Sequence, residues 1–392
     1  MKVVVAPDKF RGSLSAAQAA HAIAAGLRRM VAGLDLALVP VADGGDGTIE
    51  AAVSAGYTAV PVIVRGPTGE PVQARFARRD ATAIVELAEA SGLRRLTAGP
   101  DPTSAAAASS YGAGELITAA LDAGARRVVL GVGGSASTDG GTGLASALGV
   151  RFLDAAGNPL PAGGGALLDL SSIEVSGLDP RLGEVEFIVA TDVDNPLVGA
   201  HGAARVYGPQ KGADPPTVER LDQALRHLAS VIYRTTGRDI AAGPGTGAAG
   251  GVAATALPLL GAVLRSGSDL MLRLLGLPEA VDGAALVITG EGSLDEQSLR
   301  GKAPHGVAQL AAAAGVSVVA IAGRVTVTEA ELARAGIARA YSLTAIEPDP
   351  ARSMSNAAHL VAQVAEQVAR DWLPAVAGCP AAGPVTVPGR RS

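Results

Sequence analysis

Four short stretches of this chain place charge beside glycine: APDKFRGS (6–13), VADGGDGT (41–48), ITGEGSLDEQS (288–298) and RGKAPHG (300–306). The first three each follow a short apolar or β-branched run. Asp8, Lys9 and Arg11, then Asp43 and Asp46, then Glu291 and Asp295 therefore stand just past strand ends. In an open parallel sheet all strand C-termini face one crevice, and ligands bind there. Taken alone, each acidic pair reads equally well as a helix cap or turn former. Three such ends on one edge point to a shared site. Carboxylates beside glycine-rich anion loops suit a Mg²⁺-nucleotide, because the small hard ion takes one or two carboxylates plus phosphate oxygens and water. Lys302 stands just before Pro304, a residue suited to a first helical turn, so its amine and the helix start would attract one phosphate.

A fifth stretch, GVGGSASTDGGTG (131–143), follows the strand-like run RRVVL. Gly131, Gly133 and Ala136 match G-x-G-x-x-A, and Asp154 lies at the spacing that a dinucleotide fold asks for. The match fails on helix propensity. A dinucleotide fold needs its helix at once, whereas Asp139-Gly140-Gly141 and Gly143 would fill the first turn, at roughly 1 kcal/mol per interior glycine. The helix can begin only near Leu144. What remains is a loop of backbone N–H groups and hydroxyls from Ser135, Ser137, Thr138 and Thr142, suited to wrapping phosphate oxygens, or a flexible loop of no chemical interest. Further on, ATDVDNPL (190–197) sets Asp192 and Asp194 at another strand end, and YGPQKGA (207–213) sets Lys211 between Gly208 and Gly212. GPGTGAAGGVAATAL (243–257) is one more glycine-rich helix entry.

The elements that must position these residues are those of an α/β protein. Short β-branched runs alternate with alanine-rich helical stretches, as in parallel strands buried on both faces. Runs at 3–7, 37–43, 285–292, 316–324 and 338–344 would complete one doubly wound sheet. Residues 62–89 instead alternate strands about a turn at Pro67-Thr68-Gly69, an antiparallel meander. The expectation is a discontinuous domain of residues 1–61 plus 285–375, split by an inserted mixed α/β domain over 62–284. The stretch 376–392 reads as a disordered tail.

Composition narrows the class. A net charge of −5 and 3% aromatic residues give no general affinity for nucleic acid or for an anionic membrane surface. MKVVVAPDKF reaches Pro7 and Asp8 after too few apolar residues for a signal-peptide core, and no run is long enough for a membrane span, despite a mean hydropathy of +0.31. Cys379 is the single cysteine, so the expected compartment is the reducing cytoplasm. G-x-x-x-x-G-K-[ST], H-E-x-x-H, G-x-S-x-G and the protein-kinase signatures are all missing, and five histidines are scattered singly. The residues alone thus describe an α/β enzyme that handles an anionic, phosphorylated ligand between two domains.

APDKFRGSLSA, PVADGGDGT, GVGGSASTDGGTG, ATDVDNPL, YGPQKGA, GAAGG, VITGEGSLDEQSLRGKAPHGVA and the AGR at 322–324, in that order, closely resemble the bacterial glycerate kinase family over about residues 1–375. The resemblance implies ATP-dependent phosphorylation of D-glycerate with Mg²⁺, to 2-phosphoglycerate in many members. It also implies a flavodoxin-like domain split by an inserted α/β domain, with the site in the cleft between them. On this resemblance, Gly133, Gly134, Ser135, Ser137, Thr138, Asp139, Gly140 and Gly141 hold the ATP phosphates. Asp192 and Asp43 act as metal ligand or base, with Glu291 and Asp295 as further metal ligands. Lys211 and Lys302 offset charge on the phosphoryl group. Asp8, Lys9, Arg11 and Arg324 bind the acid, Arg11 through a guanidinium that matches a carboxylate. Many members read S-F-K-G where Lys9-Phe10-Arg11-Gly12 stands here, and VADGGEGT where Asp46 stands. Two other readings remain: an NAD-dependent hydroxy-acid dehydrogenase, resting on the G-x-G-x-x-A match, and a non-catalytic sensor of a nucleotide or sugar acid.

Overall fold

In the computed structural model residues 1–299 and 301–373 are described. The expected tail at 376–392, the last two residues of the domain drawn to 375, Arg300 and Cys379 lie outside them. From the N-terminus the strands are β1 (Lys2–Pro7) and β2 (Asp35–Leu38), then β3 (Thr58–Arg65), β4 (Pro71–Arg79), β5 (Thr82–Glu86) and β6 (Arg127–Gly131). A small hairpin of β7 (Arg151–Leu153) and β8 (Ser172–Glu174) precedes β9 (Glu186–Ala190) and β10 (Val263–Arg265). β11 (Leu286–Leu294), β12 (Val318–Val325) and β13 (Arg339–Ser342) complete the set.

Two larger sheets result. One is all parallel, in the order β13-β12-β11-β1-β2, and joins the two ends of the chain. Its strands bury both faces because both are covered by helices. Val3, Val5, Ile288 and Ile321 pack under the helices Ala16–Met30 and Ala357–Trp372, whereas Val4, Ala6, Val287 and Ala320 pack against Ala303–Ala313 and Leu277–Val281. The other sheet runs β10-β9-β6-β5-β4-β3, with β3-β4-β5 antiparallel and the rest parallel. The meander is thus the antiparallel margin of a mixed sheet. Phe76, Val85, Leu130 and Val189 face the main core, and Ala77, Ile84, Val129 and Ile188 face the other side.

That second face carries one helix from outside the span expected for it, Thr48–Ser54, beside one from within it, Gly267–Leu274. Ile49 and Ala52 of the helix Thr48–Ser54 and Met271 and Leu275 beside the helix Gly267–Leu274 cover Ala77, Ile84 and Ile188. Leu272, from the same helix as Met271, turns to the five-stranded sheet. Two short helices are therefore wedged between the sheets. β3 also begins at Thr58, ahead of the expected boundary at 62. Among the described residues no helix is long and apolar enough to cross a membrane.

Candidate active site

The C-terminal ends of β1 and β11, neighbours in the parallel sheet, open into a cleft of ≈ 360 Å³. Asp8, Lys9 and Arg11 enter it from β1, Glu291 and Asp295 from β11, and Asp43 from the loop after β2. Lys302 comes from the start of the helix Ala303–Ala313, with Pro304 in its first turn. Seven of the charged residues picked out by spacing thus share one wall, as strand ends of a parallel sheet must. Arg324 does not join them. It is exposed, in register with Ser293 beyond the sheet proper, and only the adjacent Gly323 lines the cleft.

Burial sets the electrostatics. The Asp8 carboxyl is pushed up to about 6 by burial, against the pull of Lys9. It accepts the Lys9 N–H at 2.6 Å and has the Lys9 amine at 3.8 Å. Glu291 is pushed up to about 7, again chiefly by burial, and its Oε1 is buried with no hydrogen-bond partner. Asp295 is tied down by the N–H and hydroxyl of Ser298. Lys9 Nζ donates to the carbonyl of Asp46 at 2.6 Å, which fixes the amine between the β1 end and the loop after β2.

Asp192 stands at the end of β9, where the Ser266 hydroxyl and the Ser268 N–H donate to it at 2.7 and 2.8 Å. A Cβ on Gly267 would lie 3.4 Å from Asp192 Oδ2 and 2.5 Å from the Asp43 carbonyl, so the second sheet reaches the cleft at this point. The Asp43 backbone and the Asp192 carboxylate thus approach Gly267 from the two sides, Asp192 itself lying outside the cleft lining, while Glu291 is buried on the first sheet. Among the described residues no three such side chains converge as a ready metal cage. The donor set still fits Mg²⁺, which needs only one or two protein carboxylates when phosphate and water fill the rest, and the unpartnered Glu291 oxygen is such a donor.

The glycine-rich loop is arranged otherwise. The helix after it begins at Thr142, later than a dinucleotide fold allows, and Asp154 spends its carboxylate on the Ala156 and Asn158 N–H groups of a turn. The glycines serve close packing. A Cβ on Gly131 or Gly133 would strike the backbone of Gly44 or Gly45, and one on Gly140 would strike Leu228. Ser137, Thr138 and Asp139 are sealed from solvent. Asp139 accepts from Ser110 N–H and hydroxyl, Gly141 N–H and Gly143 N–H. This corrects the expectation that it touches phosphate: its oxygens are filled, and a buried carboxylate would repel one. Lys211 is also buried, its amine donating to Ser135 Oγ at 2.8 Å and to the Ser137 carbonyl at 2.5 Å. Burial pulls it down to about 7 despite Asp139. It braces the loop from within and does not face the cleft. Gly134 is the one exposed residue of the loop, and Gly133 and Gly143 are half-buried.

Reading by spacing missed Glu86 and Arg94. Glu86 ends β5, is buried, and is pushed up to about 7 by that burial against the pull of Arg94. A glutamate closing an apolar run was the one available signal, and it is a common one.

Comparison with known proteins decides between the readings. The chain matches the glycerate kinase family over residues 3–373. The chain belongs to that family. Among its relatives, a glycerate kinase of Bacillus subtilis is 43% identical over 374 residues, covering 95% of this chain and 96% of that one. A glycerate kinase of Halalkalibacterium halodurans is 42% identical over 94% and 97% of the two chains. The glycerate 2-kinase of Escherichia coli is 46% identical over 83% and 86%. A solved structure described as glycerate kinase 2 from Salmonella typhimurium LT2 superposes with a TM-score of 0.82 at 42% identity, over 95% of this family member and 98% of that chain.

Proposed function

We propose that this protein phosphorylates D-glycerate at its 2-hydroxyl, using Mg-ATP, in the cleft at the ends of β1 and β11. That it is an ATP-dependent kinase acting on glycerate follows from its family. The choice of hydroxyl rests on the name of the E. coli relative, which is a glycerate 2-kinase. One observation carries the placement: seven charged side chains from four separate segments meet in one cleft at the edge of the sheet where α/β folds bind ligands.

In this reading Arg11, exposed at the rim, takes the glycerate carboxylate in its fork. Lys9 and Asp8 orient the hydroxyls. Lys302, beside a helix start, stabilises charge on the transferring phosphoryl group. Asp43 and Asp192, which both approach Gly267, would hold the Mg²⁺, with Glu291 as a further donor. The ion, when bound, neutralises charge on the phosphates. The exposed Gly134 would present its backbone to ATP, while Ser135, Ser137, Asp139 and Lys211 hold the loop's shape from below. Arg324 stands outside the cleft lining, on the exposed face of β12. The chain divides into two domains about the two larger sheets, the helices Thr48–Ser54 and Gly267–Leu274 forming their hinge surface. Its compartment is the cytoplasm, on the ground of its single cysteine.

Incubation with D-glycerate and Mg-ATP should release ADP and give a phosphate ester. In its phosphorus NMR spectrum, coupling to one methine proton marks the 2-phosphate, whereas coupling to two methylene protons would move the reaction to the 3-hydroxyl. NADH formation on replacing ATP with NAD, or no turnover with either, would reject the kinase.

A further inference from the structure

The cleft and the glycine-rich loop meet at a joint centred on Arg94, which no motif includes. Arg94 Nη2 lies 3.3 Å from Glu86 Oε1 and 3.0 Å from Glu89 Oε1, and its Nη1 lies 3.4 Å from Asp46 Oδ1. Asp46 in turn is bonded to the cleft wall, because its carbonyl accepts the amine of Lys9, which lines it. Glu86 is buried, sits in register with Gly131, and accepts the Ile49 N–H at 3.2 Å through its other oxygen. The turn that carries Arg94 is bonded to the loop itself: Leu93 N–H donates to the Gly134 carbonyl at 3.0 Å, and Gly92 bridges Ser135. Asp46 also lies against Gly134, whose added Cβ would stand 3.2 Å from Asp46 Oδ1. One guanidinium thus ties the substrate loop at 43–47, the strand end beside Gly131 and the turn bonded to Gly134.

We propose that Arg94 is a positioning residue for phosphoryl transfer, fixing the loop that carries Asp43 and Asp46 against the stretch Gly133-Gly134. This rests on the reading that glycerate lies on one side of the joint and the ATP phosphates on the other. In-line transfer requires the two substrates at a set separation, and a displacement of about 1 Å costs on the order of 10²-fold in rate. Arginine suits the task because its planar fork donates in fixed directions to several carboxylates, which a lysine amine cannot do. A purely structural role would be to neutralise the buried Glu86, and the two roles predict different kinetics.

The test measures kcat, both KM values and the melting temperature of the full chain and four variants. Arg94→Met should lose about 10²-fold in kcat with small changes in either KM, and Arg94→Lys should recover only part of it. Arg95→Met, which removes contacts to Glu89 and to the Gln73 carbonyl but none to Asp46, should leave kcat near the parent value. Glu86→Gln with Arg94→Met removes the buried acid together with its partner, so it should regain melting temperature without regaining kcat. Should kcat return with stability in that double variant, or never fall in Arg94→Met, Arg94 is a folding device and the proposal is overturned. A wild-type chain that releases no ADP with glycerate overturns this proposal and the kinase reading together. Normal wild-type turnover with an unaffected Arg94→Met overturns the positioning role alone.

Discussion

The cleft and the glycine-rich loop lie side by side, are both rich in polar residues, and are built on opposite plans. In the cleft the charges come from separate segments and several keep bonding capacity: Arg11 is exposed, Lys302 is half-buried, and Glu291 keeps a buried oxygen without a partner. In the loop the charges are closed in. Asp139 fills its oxygens with N–H and O–H donors, and Lys211 points its amine inward at two loop oxygens. The charged groups are spent in the loop and partly unspent in the cleft, although the buried Ser137 and Thr138 hydroxyls of the loop also lack partners. Composition cannot separate the two, because both require glycine, serine and ionisable residues close together.

The sharpest way to break this contrast is Lys302→Met. If Lys302 faces the transferring phosphoryl group, kcat should drop by roughly 10² or more, the scale of one lost electrostatic contact, with the melting temperature nearly unchanged. An unaltered kcat would remove the cleft from the reaction path. On the frame side, Gly140→Val should act through folding: its side chain meets Leu228 at a backbone held at φ +64°, and overpacking of that kind costs about 1–3 kcal/mol in urea unfolding. Wild-type stability in this variant would show that the loop has room the packing denies.

Gly134→Val probes the one open part of the loop. Its Cβ would stand 3.2 Å from Ala88 and Asp46 on a backbone held at φ +72°, so the melting temperature should fall. At temperatures where the variant stays folded, the KM for ATP should rise while that for glycerate does not. If the KM for glycerate rises instead, the stretch faces the wrong substrate. The smallest effects concern pH, and they run in opposite directions. Folded Glu291 keeps its proton up to about 7 whereas an unfolded glutamate releases it near 4.5, so the folded state binds more protons in that window and loses stability as pH rises through it. Folded Lys211 releases its proton at about 7 whereas the unfolded amine holds it to 10.5, so stability rises with pH across that range. In metal-free buffer Glu291→Gln should flatten the first slope and Lys211→Met the second. A Lys211→Met variant that still gains stability between pH 7 and 10 would show that the amine is not the group responsible.

How far the site was legible can be followed residue by residue. Asp8, Asp43, Glu291 and Lys302 could be grouped from spacing because a parallel sheet leaves no choice about where strand C-termini go. Arg324 was misplaced by the same logic: β11 and β12 run on past the sheet as a paired arm, and the alternation of strand side chains leaves Arg324 on the exposed face. The glycines of 131–143 were legible as backbone freedom but not as to its use. Nothing in the chain announces that Gly131 and Gly133 must let Gly44 and Gly45 approach, since that contact joins segments almost ninety residues apart. Arg94 and Glu86 were invisible for a similar reason, a charged pair being meaningful only once Asp46 is known to lie against it.

The sequence by itself determined the α/β class, the parallel sheet joining both chain ends, and the charged strand ends that meet in one cleft. Each of these follows from local periodicity and chain connectivity, which are properties of neighbouring residues. Only the tertiary structure decided which of the charged residues are open and which are spent, because hydrogen-bond saturation and burial depend on what the rest of the chain brings up against them. Lys302 and Lys211 show the limit. Both are lysines that follow or precede glycine in short loops, and the difference between a group that can meet a phosphate and one that braces a loop is set by residues far away in sequence: Glu291 and Asp8 around one cleft, Ser135 and Ser137 around one amine.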